Sequence, residues 1–202
     1  MISAPERSPE RDAAIAATLV HVARHGWGWR ALCAHGEDPM NAELLFPGGA
    51  ADMIEAFIDL ADRDMARIAA APGFAELRQT GRVRALIMGR LAALRPHREA
   101  VRRSLAVLAD PRHGGLAARS LARTVDQIWH LAGDQSADFS WYTKRAILAG
   151  VYGATLLFWL RDVGEDDAET LAFLNRRLAG VGRIGKLRGR VEAMVGRFKP
   201  AT

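Results

Sequence analysis

Residues 128–162 read IWHLAGDQSADFSWYTKRAILAGVYGATLLFWLRD, and the second half of this stretch decides the fold. Between Arg145 and Arg161 lie 15 residues without a charge, Ala146 to Leu160. Crossing a bilayer takes about 20 apolar residues, so this run predicts a buried helix and not a membrane span. Ile147, Leu148, Val151, Tyr152, Leu156, Phe158 and Trp159 fall on nearly every side of it, the pattern of a central helix surrounded by others. Gly150 and Gly153 sit inside it although each costs about 1 kcal/mol relative to alanine. A close approach by another backbone or a lipid tail would account for them, and so would close helix packing alone. Asp138 is placed to cap the helix, because its carboxylate can accept from the free amides of the first turn.

Working outward, the chain shows apolar residues three and four apart between turn signals, and no stretch alternates as a strand does. A first helix is expected from Pro9 to His25, with Ile15, Leu19 and Val22 on one face and Gly26 ending it. Short helices follow near Trp29 to Ala34 and Asn41 to Phe46, with Leu44, Leu45 and Phe46 packing inward. Pro47, Gly48 and Gly49 break the chain before a longer helix from Ala50 to Ala70. Its stripe is Met53, Ile54, Phe57, Ile58, Ala61, Met65 and Ile68. Further helices are expected over Arg82 to Leu94, Pro96 to Leu108 and Leu116 to Leu131. Glu165, Asp166 and Asp167 open the helix after the apolar one, where acids suit the positive end of the dipole. The fold class is all-α, a bundle of nine or ten helices.

At 202 residues the chain is long enough for one ordinary core. The lone cysteine, Cys33, excludes an intramolecular disulfide and a thiolate metal cage. A net charge of +5 would point to nucleic acid if it covered one face, but six basic residues and one acid between Val181 and Lys199 carry all of it. There Ile184, Leu187, Val191, Met194, Val195 and Phe198 recur at steps of three and four, interleaved with Lys186, Arg188 and Arg190. This is the pattern of a basic amphipathic helix. Gly182, Gly185, Gly189 and Gly196 weaken it in isolation, so it should form only against something. An anionic membrane surface supplies both an apolar layer and counter-charge; packing on its own fold or on a second subunit is the competing expectation.

Three short helices, a proline and glycine break, and then several long helices resemble the layout of the TetR family of regulators. The resemblance implies a helix-turn-helix over residues 1–48 with Asn41 to Phe46 as recognition helix. Glu37, Asp38 and Glu43 lie at or beside that helix, and no Lys or Arg stands between Arg30 and Arg63. Close carboxylates repel phosphates, so the reader is expected to be degenerate and no nucleic-acid partner is expected.

The stretch from Ile128 to Asp162 closely resembles the C-terminal domain of the ubiquinone (coenzyme Q) biosynthesis accessory family, the ninth of the coenzyme Q proteins. That family implies a TetR-like fold without DNA binding and a lipid, an isoprenoid quinone precursor or a phospholipid, held in an apolar cavity over residues 49–180. It also implies presentation of that lipid to the demethoxyubiquinone hydroxylase. By the same resemblance Asp138, Trp141 and Tyr142 belong to the surface that docks the hydroxylase, with Ile128 and Trp129 in the same patch. Aromatic side chains make good interface anchors, though Trp141 and Tyr142 equally suit an ordinary helical core. The lipid-lining expectation comprises Met65, Ile87, Met88, Leu91, Leu105 and Leu108, together with Leu148, Val151, Tyr152 and Phe158. The resemblance also implies a membrane-binding helix over residues 181–202, made by Ile184, Lys186, Leu187, Arg188, Arg190, Val191, Met194 and Phe198. TetR-like proteins often pair through their last long helices, so a homodimer is expected.

Catalytic chemistry is not expected. His21 and His25 are four apart, a spacing that can hold a metal, but no carboxylate or third histidine completes the site. No phosphate-cradling glycine loop, nucleophile elbow or di-iron Glu-x-x-His pair appears. No enzyme activity, metal or cofactor other than bound lipid is therefore anticipated. The first twelve residues lack an apolar signal core, and Glu6, Glu10 and Asp12 argue against an acid-poor presequence. The expected location is the bacterial cytoplasm, peripheral on the inner face of the cytoplasmic membrane. The alternatives are a ligand-responsive TetR-type transcriptional regulator and a lipid-free scaffold.

Overall fold

The structure, a computed structural model, describes residues 4–134, 140–164 and 166–180. The regular elements among these residues are helices: α1 (Pro9–His25), α2 (Trp29–Cys33), α3 (Pro39–Leu45), α4 (Gly49–Ala69), α5 (Gln79–Leu94), α6 (Arg98–Leu108), α7 (Gly114–Leu131), α8 (Ser140–Trp159) and α9 (168–180). Tight 3-10 turns at Arg95–His97 and Pro111–His113 join α5 to α6 and α6 to α7. The chain forms two compact units, residues 1–145 and 146–202, so the first turn of α8 belongs to the first unit.

Local chemistry sets the helix ends. Ser8 accepts from the Arg11 amide at 3.1 Å with Pro9 in the first turn, and Gly26 closes α1 with φ +74, a conformation glycine adopts without penalty. Asp38 caps α3 by accepting from the Met40 amide at 2.9 Å, and Pro39 supplies the pre-set φ of a first helical residue. This cap is why α3 starts two residues before the expected Asn41. Pro96 makes a 3-10 turn of the segment expected to begin the next helix, and α6 starts only at Arg98.

In the first unit α4 is the mast. Met53, Ile54, Phe57 and Met65 of its stripe are buried, and around them pack Ile15 and Val22 of α1, Val83, Leu86, Ile87 and Leu91 of α5, and Val125 and Ile128 of α7. Four acids along α4 are each gripped by arginine. Asp52 meets Arg11 of α1 at 2.6 Å, and Arg11 also donates to the Leu45 carbonyl and lies 4.5 Å from the Phe46 ring centre. Glu55 meets Arg123 of α7 at 2.7 Å. Asp59 accepts from Arg7 at 2.6 Å and Arg63 at 2.9 Å, and Arg63 reaches on to Asp12 of α1 at 2.6 Å. Asp62 accepts from Arg90 of α5 at 2.8 Å and from the Thr124 hydroxyl of α7 at 2.8 Å.

The Asp62 and Arg90 side chains are only 8% and 5% exposed. Removing one partner of such a pair strands a charge in the interior, so these contacts fix how the helices sit against α4 more than they add net stability. Burial pushes the Asp62 carboxyl up, against the pull of Arg90 and Thr124. Burial also pushes Asp59 up, but there the hydrogen bonds from Arg7 and Arg63 win and hold it below the ordinary carboxylate value.

Two expectations are corrected. Phe46 is buried and Leu45 half-buried, but Leu44 is 74% exposed, because Ala42 is the α3 residue that turns to the core. In the second unit α8 is not surrounded: Leu148, Val151, Tyr152, Thr155 and Trp159 are buried, whereas Ile147, Gly150 and Leu157 lie exposed on one flank. Among the described residues nothing stands within 4 Å of where a Cβ would sit on Gly150 or Gly153, so no close approach by any of these residues accounts for the two glycines. The Phe158 and Phe173 rings stack at 4.5 Å between α8 and α9. Asp162 fixes the corner by accepting from the Gly164 amide at 2.9 Å, the Thr170 amide at 3.0 Å and the Thr170 hydroxyl at 2.6 Å. Asp166 accepts from the Ala168 amide at 3.1 Å ahead of α9; Glu165 lies outside the described residues.

Candidate functional site

The end of α7 and the first turn of α8 bring an aromatic and cationic cluster together in the first unit. Trp141 and Tyr142 are adjacent, with ring centres 4.7 Å apart in an edge-to-face arrangement, and Tyr142 is 69% exposed. Arg145, one turn on from Trp141, places its guanidinium 3.8 Å from the indole centre. That guanidinium is itself held by Asp126 of α7 at 2.7 Å. Lys144 donates to Asp134 at 2.8 Å, its ammonium lies 5.9 Å from the Trp129 ring centre, and the Trp129 indole donates to the Lys144 carbonyl at 3.4 Å.

A half-buried indole is pinned from beneath by a cation, and a phenol beside it is offered to the outside. Of the five residues expected in the patch, Trp141, Tyr142 and Trp129 come together here. Ile128 is fully buried in the core of the first unit and presents no surface. Asp138 lies outside the described residues. Sequence reading missed Lys144, Arg145, Asp126 and Asp134. The spacing of Trp141 and Arg145, four apart on a helix, was a usable signal for a stacked pair, whereas the two aspartates come from α7 and the turn after it and leave no local trace.

The residues expected to line a lipid are distributed over both units. In the first, Met65, Ile87 and Leu91 are fully buried, and Met88, Leu105 and Leu108 half-buried. In the second, Leu148, Val151 and Tyr152 are buried and Phe158 is half-buried against Phe173. A cleft of about 310 Å³ opens in the first unit between α1, α4, α5 and the turn after α5. Met65 is the one of these ten that borders it. The eight residues expected to meet a membrane, Ile184, Lys186, Leu187, Arg188, Arg190, Val191, Met194 and Phe198, lie outside the described residues.

On the helix-turn-helix, α3 exposes Met40 and Leu44, each 74% accessible, beside exposed Asp38 and Glu43. The face a reader would lay in the major groove is thus apolar and acidic. His21 meets His35, not His25, with ring centres 5.8 Å apart. Among the described residues no group of three or more His, Cys, Asp or Glu side chains could hold a metal ion, and no helix is long and apolar enough to cross a membrane.

The family model described as COQ9 matches residues 115–185, which contain the aromatic cluster. The chain is 33% identical over 177 residues to the ubiquinone biosynthesis protein coq9, mitochondrial, of Schizosaccharomyces pombe, covering 86% of this chain and 70% of that one. It is 32% identical over 182 residues to the corresponding proteins of Rattus norvegicus and Homo sapiens, covering 85% of this chain but only 58% and 57% of theirs. The chain thus spans little more than half the length of those mammalian relatives. Among solved structures, a TetR transcriptional regulator from Nitrosomonas europaea superposes with a TM-score of 0.70 at 25% identity, over 85% of this chain and 97% of the regulator. The bundle is therefore TetR-like, and the chain belongs to the COQ9 family of ubiquinone biosynthesis proteins.

Proposed function

We propose that this chain is a non-catalytic accessory protein that binds an isoprenoid quinone intermediate or another lipid and presents it to the demethoxyubiquinone hydroxylase at a membrane surface. The observation that carries the reading is the Trp141–Tyr142 pair, held rigid by Arg145 and offered outward within the segment that matches the family model. Large aromatic side chains with restricted rotamers bind partners at little entropic cost, and an anchor fixed before contact saves more. Asp138 and Trp129 complete the docking patch, and Ile128 supports it from the core.

Two sets of residues are the candidates for holding the lipid, each within its own unit: Leu148, Val151, Tyr152 and Phe158 in the second, and Met65, Ile87, Met88, Leu91, Leu105 and Leu108 in the first. The basic segment 181–199 attaches the chain to an anionic bilayer, which places the protein peripherally at the membrane. Liposome flotation tests this part: deletion of residues 181–202 should abolish binding to anionic vesicles, and undiminished binding would rule it out. A homodimer forms through the exposed flank of α8, Ile147, Gly150 and Leu157, with Leu171 of α9; a concentration-independent monomer in sedimentation would exclude it.

The regulator reading has the helix-turn-helix and the Nitrosomonas structure in its favour. Against it stand exposed Met40, Leu44, Asp38 and Glu43 on the reader helix, which offer phosphates no cation. Co-purification with the hydroxylase decides between the two. The intact chain should retain the hydroxylase, and Tyr142→Ala should release it while leaving the melting temperature unchanged. Retention by the variant would contradict the docking surface, and sequence-specific DNA binding would favour the regulator.

A further inference from the structure

The end of α7 carries a carboxylate where a helix stop commonly carries an apolar residue. The Asp134 amide donates to the Trp129 carbonyl at 3.0 Å and the Gly133 amide to the His130 carbonyl at 3.0 Å. Gly133 has φ +81, so this is a Schellman ending, in which the residue after the glycine commonly lays an apolar side chain back on the last turn. Here that residue is Asp134, with its side chain only 3% exposed. The turn is held from behind by Arg82 of α5, which donates to the Leu77 carbonyl at 3.0 Å and the Ala132 carbonyl at 3.4 Å. A Cβ on residue 133 would stand 3.1 Å from that guanidinium.

Two consecutive cations of α8 meet this one carboxylate. Lys144 donates to one oxygen at 2.8 Å, and the Arg145 guanidinium stands 3.7 Å from the other. Neighbours on a helix point about 100° apart, so both can reach one group only when it lies in the sector between them. Asp126 fixes one point of the first turn of α8, Arg145 at 2.7 Å; Asp134 adds the second and so sets the rotation of that turn about its own axis. Trp141 falls within the same sector in projection, about 60° round from Lys144, and Tyr142 lies about 100° beyond Trp141, outside it. The rotation that satisfies Asp134 is thus the one that half-buries the indole and leaves the phenol exposed.

We propose that Asp134 is a positioning residue of the docking surface: its carboxylate, shared by Lys144 and Arg145, turns the start of α8 so that Trp141 is seated and Tyr142 presented. This role rests on the proposed docking of the hydroxylase at these two aromatics. It does not make the carboxylate a source of stability. Lys144 is 36% exposed, so its ammonium returns to water when the acid is removed, and Arg145 keeps Asp126. An apolar residue at 134 would also suit the helix ending better than a buried acid does.

Asp134→Leu and Asp134→Asn, made in the whole chain, test it. Each should weaken hydroxylase binding about tenfold in a titration, with no fall in melting temperature. A second readout needs no hydroxylase: near-UV circular dichroism of the free chain records the coupled Trp141 and Tyr142 rings, identified as the part of the spectrum lost in Trp141→Phe. Both Asp134 variants should lose that part. If Asp134→Leu melts early, Asp134→Asn, which keeps the shape of the side chain, carries the test. Early melting of both would reduce Asp134 to a structural residue and overturn the proposal, as would parent-like spectra or parent-like affinity in either folded variant. A parent chain that does not bind the hydroxylase would instead contradict the docking itself, and the spectra alone would then decide whether Asp134 orients the turn.

Discussion

The guanidinium of Arg145 lies 3.8 Å from the centre of the Trp141 ring while donating to Asp126 at 2.7 Å, so one side chain ties the first turn of α8 to α7 and braces the aromatic pair. A cation over an indole contributes about 0.5–2 kcal/mol, depending on exposure. Arg145→Ala should therefore weaken hydroxylase binding several-fold in a titration while the protein stays folded, because Trp141 loses the contact that orients it. Arg145→Lys should recover only part of the loss, since an ammonium cannot lie flat on the ring while bonding Asp126. Unchanged affinity in Arg145→Ala would mean that the brace is irrelevant to docking.

Asp62 and Arg90 predict an asymmetric response to mutation. Arg90→Ala leaves a carboxylate buried between α4, α5 and α7 and should cost about 3–5 kcal/mol in urea unfolding. The double variant Asp62→Leu, Arg90→Met should lose less than Arg90→Ala alone, since an apolar pair strands no charge. Equal losses would show that the charge is not what makes the single variant unstable.

Asp59 predicts part of the acid sensitivity. Its carboxyl is held below the ordinary value by Arg7 and Arg63, so the stability it contributes is present above the unfolded carboxylate pKa of about 3.9 and is lost as pH falls through the lower folded value. The stability difference between the parent and Asp59→Asn should be constant near neutrality and shrink below about pH 4. A difference that stays constant down to pH 2 would contradict the assignment.

Two glycines should respond oppositely to the same change. At Gly153 a Cβ would meet nothing within 4 Å among the described residues, so Gly153→Ala should raise the melting temperature through a helix-propensity gain of about 1 kcal/mol. At Gly89 the new methyl would stand 2.7 Å from Ile68, and overpacking of this kind costs about 1–3 kcal/mol, so Gly89→Ala should lower it. Shifts of the same sign would refute the packing around one of them.

The helices were legible because their signals are local. The apolar stripe of α4, Gly26 after α1 and the proline and glycine break before α4 each act within a few residues, and the expected bounds of α1 coincide with the observed Pro9–His25. Leu44 was misplaced because a helix as short as α3 has too few turns for a periodic pattern to fix which side faces the core. The arginine grips on α4 were invisible for another reason: nothing local to the acids at 52, 55, 59 and 62 marks Arg11, Arg123, Arg7 and Arg90, which the fold brings to them from other elements. Within the candidate site, Trp141 and Tyr142 could be named from the resemblance alone, but their brace depends on Asp126, nineteen residues from Arg145 along the chain.

Lipid carriage is the central claim, and mass spectrometry of an organic extract from the purified protein, against a control protein from the same cells, tests it most directly. An isoprenoid quinone precursor or another lipid, stoichiometric with the chain and lacking in the control, is the predicted result. An extract indistinguishable from the control after gentle purification would contradict it and leave a lipid-free docking protein in its place.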